Sequence, residues 1–567
     1  ETPRRLNSIT LTVPPGMAQA ERAILEERLN QAIALVWKAL GWHQGDASPF
    51  DDTHPEYIAP SVQLPKTSVE WDEASCCQLV YLYTEINVHF GGHPEEFFKA
   101  ITRPDKKQAA QEEKVTIATI DIGGGTSDLV ITDYRLDRAG GNSTGSNVHI
   151  VPKQRFRDSF KVAGDDIVLD VIQEVVLPSF KHALKNLGLT DQQTRSVASA
   201  LYGEESQTAQ DEVYRQQLTV QVFYPIALSI LKKYEQYDPE QQVERGSYTY
   251  QELMNGATAS ASIQEYVVSK LRNTLQRTDI HFDLHAINID IDLAKLNEQF
   301  ISGAISIMPA LAALCEVARQ YPCDILLLTG RPSMLPGIQS FIRRHMPVHP
   351  GRILAMQNYH TGGWYPFHQN GMINDPKTTA SVGAMLCLLA ANHNIQNFYF
   401  RSIDLKPYST IRYFGVIDNA NYISEGDVLF HNIQTVDSKM QLPIVNQGED
   451  SDVPPLEFRG PVRLGYRQLP IARWSASPLY TLNFTASGIR KYNKQQENAD
   501  GIPVLQVYFK VIDSKASKKS GIPSDELEIQ KVLANFGDFS PRDLRLELNT
   551  MLSTDTNYWL DSGSVNK

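Results

Sequence analysis

The sequence predicts an α/β fold of two lobes followed by an appended β-rich C-terminal domain, and three observations support this prediction. Apolar runs of strand type alternate with stretches of helical periodicity as far as about residue 395. A turn containing Gly123, Gly124 and Gly125 joins two of those apolar runs. Beyond residue 395, short β-type runs are separated by clusters of Pro, Gly, Asn and Asp. A chain of 567 residues also favours two to four domains, at about 100 to 200 residues each.

Composition narrows the class of protein. Apolar residues make up 42% of the chain and charged residues 21%, as in globular proteins that work in water. The formal net charge of −12 comes without a compensating basic block, which argues against nucleic-acid binding. No apolar run is long enough to cross a bilayer, so we expect no membrane span. The five cysteines are expected to be reduced and mostly buried, which favours a cytoplasmic location.

The N-terminal part is predicted to contain a strand and two helices. Residues Asn7–Gly16 read as a strand that ends at a double proline, and Gln19–Leu40 carries apolar residues at helical spacing. A second helix is expected from Trp71 to His89. Glu73 falls in its first turn, where an acidic side chain interacts favourably with the helix dipole.

The stretch Asp121–Leu129 reads Asp-Ile-Gly-Gly-Gly-Thr-Ser-Asp-Leu and lies between two strand-type runs, so it predicts a hairpin turn. Consecutive residues without Cβ allow backbone N–H groups to surround an anion, and Thr126 adds a hydroxyl. Asp121 and Asp128 could hold a divalent cation directly or through its water molecules. The sequence therefore predicts a phosphate site at this turn.

The middle of the chain is mostly helical in pattern. Residues 160–166 lead through Gly164 into a helix expected near Ile167, for which Asp165 or Asp166 would be a cap. Residues 177–277 contain no glycine motif and are predicted to form a helical subdomain. A strand at Ile280–Leu293 and a long helix at Leu296–Ala318 should follow. Lys232 and Lys233 in the subdomain fit a solvated helix face better than a ligand site.

A second candidate ligand turn follows the predicted strand that starts at Cys323. The strand runs into Gly330, and a helix is expected from Pro336, which brings backbone donors and a helix N-terminus together. Arg331 and Ser333 belong to this turn. A further helix over residues 376–392 is capped by Asp375.

Two loops carry weaker predictions. The aromatic-rich loop Asn358–Gly371 could form a partner surface, but packing as a plug against the next domain is the favoured interpretation. Its two histidines, His360 and His368, lack the further ligands that a zinc site needs. The loop 137–147 is predicted to be a polar surface hairpin, and Lys515–Lys519 a solvated loop.

In this order, the motifs resemble those of the actin-like ATPase superfamily, which includes actin, sugar kinases and DnaK-type chaperones. The glycine hairpin is similar to its second phosphate motif and the Gly330 turn to its adenosine motif. The resemblance implies an actin-like, ribonuclease-H-like fold. The implied divisions are a partial first lobe at 1–112, a second lobe at 113–395 with a helical subdomain at about 177–277 and a closing helix at 376–392, and a β-rich domain at 396–567.

The resemblance also implies ATP and Mg²⁺ as cofactors. The implied roles are metal binding by Asp121 and Asp128, water or magnesium positioning by Glu73, phosphate binding by Gly123, Gly124, Gly125 and Thr126, and ribose or base contacts by Gly164, Asp166, Gly330, Arg331 and Ser333. For Glu73 and Asp166, a simple helix-terminal role is the alternative interpretation. Arg331 stands where the superfamily has a second glycine, which puts adenine specificity in doubt. The superfamily's first phosphate hairpin should precede Asn7–Gly16, so we expect residues 1–567 alone to bind ATP weakly or not at all and to show no turnover.

Four short stretches resemble the SrfB family of bacterial virulence-associated proteins at closer range. They read Val-Ala-Gly-Asp-Asp, Leu-Leu-Thr-Gly-Arg-Pro-Ser, Gly-Trp-Tyr-Pro-Phe and Asp-Pro-Lys-Thr-Thr-Ala. The resemblance implies a bacterial virulence factor without an established reaction, and secretion as an effector stays open. Two functions are compatible with these patterns. One is an ATP-binding protein that switches conformation or hydrolyses slowly, and the other is a non-catalytic scaffold. Both imply an unidentified protein partner.

Overall fold

The computed structural model describes residues 5–107, 114–138, 148–203, 208–240, 245–405, 409–431, 433–436, 439–441, 455–472, 474–498, 503–512, 526–535, 537–548 and 558–565. Most of the predicted loop 137–147 and all of Lys515–Lys519 lie outside these residues. Within them the chain is a mixed α/β structure.

The strands, numbered in chain order, are β1 (Ser8–Val13), β2 (Lys66–Asp72), β3 (Lys114–Ile122), β4 (Ser127–Asp137), β5 (His149–Phe160), β6 (Arg245–Thr249), β7 (Asn288–Asp292), β8 (Ile325–Thr329), β9 (Ile353–Ala355), β10 (His368–Gln369), β11 (Met372–Ile373), β12 (Tyr399–Phe400), β13 (Tyr413–Val416), β14 (Val428–Phe430), β15 (Gln434–Val436), β16 (Lys439–Gln441), β17 (Leu456–Phe458), β18 (Val462–Arg467), β19 (Ser477–Phe484), β20 (Leu505–Ile512), β21 (Glu526–Ala534) and β22 (Leu544–Leu548).

The α-helices are α1 (Gln19–Ala39), α2 (Glu73–Tyr83), α3 (Pro94–Ile101), α4 (Pro104–Lys107), α5 (Gly164–Val171), α6 (Leu177–Asn186), α7 (Asp191–Tyr202), α8 (Ala209–Leu218), α9 (Tyr224–Tyr234), α10 (Tyr250–Leu253), α11 (Ala261–Leu275), α12 (Leu293–Ser302), α13 (Met308–Gln320), α14 (Pro336–His345), α15 (Thr378–Ala391), α16 (Ala486–Asn498) and α17 (Trp559–Ser562). Turns of π-helix continue three of them, at Thr84–His89, Ile172–Val176 and Thr219–Phe223. Short 3₁₀ helices lie at Leu284–Ala286, Arg331–Met334, Pro350–Arg352, Gly362–Trp364, Ser402–Leu405, Glu425–Asp427 and Pro541–Asp543.

The N-terminal strand and helix are confirmed as β1 and α1, but the second helix starts later than predicted. Trp71 and Asp72 end strand β2, which pairs with β1 in parallel and which the sequence reading missed. The Asp72 carboxylate accepts a hydrogen bond from the Ser75 backbone at 2.7 Å, so α2 begins at Glu73. Asp72 thus acts as the helix cap, with Glu73 in the first turn.

The central sheet has six strands in the order β12-β5-β4-β3-β8-β9 among the described residues. Strands β3 and β4 are the predicted hairpin, and β3 pairs in parallel with the predicted buried strand β8. Because β12 pairs with β5, this sheet extends past residue 395, where we had placed the start of the C-terminal domain.

Alternate residues of the central strands enter two separate cores. Ala118 and Ile120 of β3 pack with the helices of the subdomain, whereas Ile117 packs with α2 and α15 on the opposite face. A sheet covered on both faces needs apolar residues on both, which explains the continuous apolar runs in the sequence. The Asp121 and Asp128 side chains lie at the end of this buried hairpin.

The region between β5 and β8 is helical, as predicted, with two corrections. The predicted strand at Ile280–Leu293 is reduced to β7, which pairs antiparallel with β6. The long helix expected at Leu296–Ala318 is two helices, α12 and α13, because Gly303 adopts a left-handed conformation with φ of 82°.

The C-terminal part is β-rich, as predicted, and forms a five-stranded sheet (β14-β13-β18-β19-β22) and a three-stranded sheet (β17-β20-β21) among the described residues. Leu464 and Leu482 from the first sheet share one apolar core with Val507 from the second. This part is not separate from the rest, because Trp474 packs against Phe160 with ring centroids 4.8 Å apart.

Candidate functional site

The glycine hairpin closes on itself and leaves its tip open. Asp121 and Asp128 are paired residues on β3 and β4, and the Gly123 N–H donates to the Thr126 carbonyl at 2.8 Å. Gly124 and Gly125 are exposed, and a Cβ added at Gly125 would meet no atom within 4 Å. The tip therefore has free space beside its backbone, as the phosphate prediction requires.

The start of α5 is bonded directly to this hairpin. The Gly164 N–H donates to the Gly123 carbonyl at 3.0 Å, and the Asp165 N–H donates to the Gly124 carbonyl at 2.8 Å. A Cβ on Gly164 would lie 2.9 Å from the Gly123 oxygen, so glycine permits the close approach. The Asp166 carboxylate accepts from the Ala163 N–H at 2.8 Å, which is the helix-capping role.

The Gly330 turn also contacts the hairpin directly. Gly330 has φ of 81°, and a Cβ there would lie 2.0 Å from the Ile122 carbonyl oxygen. Only glycine fits both the left-handed backbone and this contact. The Ser333 hydroxyl donates to the Gly330 carbonyl at 2.7 Å and is buried, so Ser333 holds the turn together.

Arg331 does not point freely into solvent. Its guanidinium donates through Nε and one Nη to the two Glu235 carboxylate oxygens, each at 2.9 Å. Glu235 follows α9, so this two-point contact joins the Gly330 turn to the helical subdomain.

These elements enclose a cavity of about 360 Å³. It is bounded by the glycine hairpin, the first turns of α5, one face of α9 and the Gly330 turn. The lining residues are Gly123, Gly124, Gly164, Asp165, Ile167, Val168, Tyr224, Leu228, Leu231, Lys232, Glu235, Arg331, Pro332, Leu335, Asp375 and Lys377.

The cavity brings together residues that the sequence reading placed differently. Lys232 lines it, although a solvated helix face had been the favoured interpretation. Lys233 instead lies over the Tyr248 ring, 4.4 Å from its centroid. Asp165, Tyr224 and Lys377 also line the cavity and were not predicted as site residues. Of the predicted site residues, Gly123, Gly124, Gly164 and Arg331 line the cavity, whereas Glu73, Asp121, Gly125, Thr126, Asp128, Asp166, Gly330 and Ser333 do not.

Four acidic side chains lie close together beside the hairpin: Asp72, Glu73, Asp121 and Asp128, which we call the acidic group. Burial, with added repulsion from Glu73 and Asp72, raises the pKa of Asp121 to about 8. Burial and repulsion from Asp121 raise the pKa of Asp128 well above its usual range. Burial, followed by repulsion from Asp72, also raises the pKa of Glu73. The three predicted carboxylates therefore lie close enough to oppose one another's ionisation.

Asp128 has one carboxylate oxygen with a clear hydrogen bond. Thr126 donates its hydroxyl to Oδ2 at 3.1 Å, whereas Oδ1 is buried and lacks a hydrogen bond of good geometry. Burial and repulsion from Asp121 raise the pKa of Asp128, and the neighbouring Ser159 hydroxyl reduces that rise, so Ser159 is a partial partner of this carboxylate. A buried carboxylate with few partners is costly unless a cation or a proton compensates it. Across the described ranges, no group of three or more His, Cys, Asp or Glu side chains has the arrangement of a protein-only metal site.

The aromatic loop packs inward rather than onto the C-terminal domain. Trp364 contacts the Tyr83 ring of α2 at 4.6 Å between centroids, and the buried Tyr365 belongs to the core beneath α2 and α15. The loop is thus a plug, but the prediction that it packs against the next domain is wrong, because its partner is α2. His360 stacks at 6.3 Å on His89, and His368 accepts from the Gly371 N–H.

Two further observations bear on the class of protein. Within the described ranges, no helix combines the length and the apolar character needed to cross a bilayer. The cysteines at 76, 77, 315, 323 and 387 are all buried and free, as expected.

The comparisons with known proteins identify the family. No curated protein matches the chain. The family described as virulence factor SrfB matches residues 1–566, which is nearly the full sequence and includes the hairpin, the cavity and the C-terminal sheets. The chain therefore belongs to the SrfB family of virulence factors.

Proposed function

We propose that this virulence-associated protein binds ATP with Mg²⁺ in the cavity between the glycine hairpin and the Gly330 turn. Binding would switch the conformation of the protein, with slow hydrolysis. The observation that carries the proposal is the direct bonding of the hairpin to the first turn of α5 beside a cavity that also holds two lysines.

The hairpin tip and the lysines support a phosphate end in the cavity. Gly125 offers unhindered backbone at the tip, and the first turn of α5 is bonded to the hairpin beside it. Lys232, Lys377 and Arg331 add positive charge to the lining, and Asp165, Glu235 and Asp375 add negative charge. Leu228, Leu231 and Leu335 supply an apolar wall on which a base could pack.

The acidic group fits a magnesium ion better than an ion enclosed by protein alone. Mg²⁺ typically keeps several water molecules and takes one or two carboxylates together with substrate phosphates. Asp121 and Asp128 would hold it, and Glu73 would orient its water. The mutual repulsion of these buried acids is what a cation would relieve. When bound, the ion would neutralise charge on the phosphates.

The assignment is tested by calorimetry of the full-length protein with Mg·ATP. The double variant Asp121→Ala with Thr126→Ala removes a metal ligand and a phosphate donor together, and we expect binding to be lost. The control is Asp51→Ala with Thr53→Ala, an exposed Asp–Thr pair hydrogen-bonded at 2.6 Å outside the cavity. Wild-type affinity in the first double variant would refute the site.

A non-catalytic scaffold is the second candidate, and the Arg331–Glu235 contact favours it. Two charge-assisted hydrogen bonds across the cavity fix the helical subdomain to the Gly330 turn without any nucleotide. Phosphate release measured on the full-length protein separates the candidates. A magnesium-dependent rate that exceeds the rate of Asp128→Ala would eliminate the scaffold, and equal rates would eliminate catalysis.

A further inference from the structure

The C-terminal segment Tyr558–Val565, which we call the strap, lies across the helical subdomain. Thr219 donates its hydroxyl to the Gly563 carbonyl at 2.8 Å, and Arg215 donates through Nε to the Ser562 carbonyl at 2.8 Å. Gln173 donates to the Val565 carbonyl at 3.0 Å. The strap is therefore held along its length by side chains from α8 and from two of the three π-helical turns, Ile172–Val176 and Thr219–Phe223.

Burial of apolar side chains also holds the strap against the helical subdomain. Trp559 and Val565 belong to the core that lies beneath the central sheet, and Val565 is completely buried. Gly563 has φ of 68°, and a Cβ there would lie 2.4 Å from the Gln216 backbone nitrogen. The strap therefore passes so close to the Gln216 backbone that only glycine can occupy position 563.

The first residue of the strap reaches the proposed phosphate end of the cavity. The Tyr558 hydroxyl donates a hydrogen bond to Asp165 Oδ2. The same carboxylate oxygen lies 3.6 Å from the position of a Cβ built on Gly124. Trp559 also packs on Tyr224, a lining residue, with ring centroids 6.1 Å apart.

This contact fixes a negative charge beside the glycine hairpin. Burial raises the pKa of Asp165, and the Tyr558 hydrogen bond and the positive charge of Lys377 counteract that rise. A triphosphate bound at Gly124 would be repelled by the Asp165 carboxylate and would compete with it for Lys377. Tyr558 therefore stabilises the charge state of Asp165 that is least compatible with an anionic ligand.

We propose that the strap is an autoinhibitory element, in which Tyr558 holds Asp165 against the glycine hairpin and docking of the strap opposes nucleotide binding. This inference rests on the proposed function and names the regulation of the same site. Because coupling between two events is reciprocal, bound nucleotide must loosen the strap by the factor by which the docked strap weakens nucleotide binding.

The experiment measures Mg·ATP affinity by calorimetry, up to millimolar nucleotide, in the full chain and in single variants. Tyr558→Phe removes the hydroxyl and should bind about tenfold more tightly, the value of one hydrogen bond to a charged group. Asp165→Asn should show a gain of similar size. Thr219→Val, which removes a strap anchor away from the cavity, should give a smaller gain of about two- to threefold. Tyr422→Phe, an exposed tyrosine of the C-terminal region, is the control and should leave the affinity unchanged.

A second measurement follows the strap itself. Saturating Mg·ATP should accelerate hydrogen exchange at the Val565 amide, which donates to the Tyr202 carbonyl, in wild type but not in Tyr558→Phe. Wild-type binding with equal or weaker affinity in Tyr558→Phe would overturn the strap inference and leave the nucleotide site standing. Absence of binding in the wild type and in every variant would overturn the nucleotide site, and the strap inference with it.

Discussion

The two-stranded β1–β2 sheet and the six-stranded central sheet differ in how completely their strands are buried and hydrogen-bonded. Every residue of β8 is buried, whereas Val13 is the one fully buried residue of β1. Strand β3 is hydrogen-bonded on both sides, and helices cover both of its faces. In the part of the chain that the structure describes, β1 pairs with β2 alone.

This difference matters because the acidic group draws on both regions. Asp121 and Asp128 come from the central sheet, whereas Asp72 and Glu73 follow β2 at the end of the small sheet. The contact between the regions includes the Gly16 N–H, which donates to the Ser159 hydroxyl of β5 at 2.8 Å. Asp121 and Asp128 are therefore held by the central sheet itself, whereas Asp72 and Glu73 lie where the small sheet meets α2, a helix that packs against the central sheet.

The largest effect is expected where the central sheet is packed most closely. Gly330→Ala would place a Cβ 2.0 Å from the Ile122 oxygen at a φ of 81°. We expect a loss of about 4 kcal/mol in the free energy of unfolding, which combines backbone strain with overpacking. Chemical denaturation measures the loss. Gly125→Ala is the control, with no atom within 4 Å, and should be neutral. Equal stability of the two variants would contradict the packing argument.

The next effect concerns the charges where the two regions meet. Because the folded protein raises the pKa of Asp121 from 3.8 to about 8, it keeps a proton that the unfolded chain releases between these values. The contribution of Asp121 therefore lowers the free energy of unfolding as pH rises from about 4 to about 8. Asp121→Asn should stabilise the protein at pH 8 by on the order of 3 kcal/mol and have little effect at pH 4.

Thermal unfolding at the two pH values measures this difference. Asp52→Asn, an exposed aspartate, provides the control and should show no such pH dependence. A stabilisation by Asp121→Asn that is the same at both pH values would show that Asp121 is not protonated in the fold.

Hydrogen exchange compares the two sheets directly. Amides in Ile9–Val13 should exchange about 100-fold faster than those in Ile325–Leu328, because the open edge of β1 allows local opening without global unfolding. Mass spectrometry or NMR of the unmodified protein provides the measurement. Equal protection in the two segments would mean that β1 is supported as well as β8.

The smallest effect tests the Gly16–Ser159 contact, which joins the small sheet to the central sheet. Ser159→Ala removes the hydroxyl that accepts from the Gly16 N–H, which should cost about 1 kcal/mol. Faster exchange should be confined to the turn after β1, with little change at β8. A uniform change across both sheets would show that the two regions unfold as one unit.

The sequence alone determined the parts of the fold that depend on local pattern. The glycine hairpin, the strand before Gly330 and the helix beginning at Pro336 were predicted because apolar runs, glycine turns and proline starts are local signals. Strand β2 was missed because only two apolar residues, Val69 and Trp71, form its alternating pattern, which is too short to predict a strand. The split between α12 and α13 was missed because it depends on the left-handed conformation of Gly303. The sequence does not reveal this conformation, since glycine also adopts helical φ and ψ angles.

Only the tertiary structure decided which distant residues meet at the cavity. Arg331 and Glu235 are 96 positions apart, and Tyr558 and Asp165 are 393 apart, yet each pair is hydrogen-bonded. No periodicity or turn preference encodes such contacts, because they depend on how whole elements pack. The raised pKa values of the acidic group have the same origin, since burial and charge proximity exist only after β2, β3 and β4 are brought together.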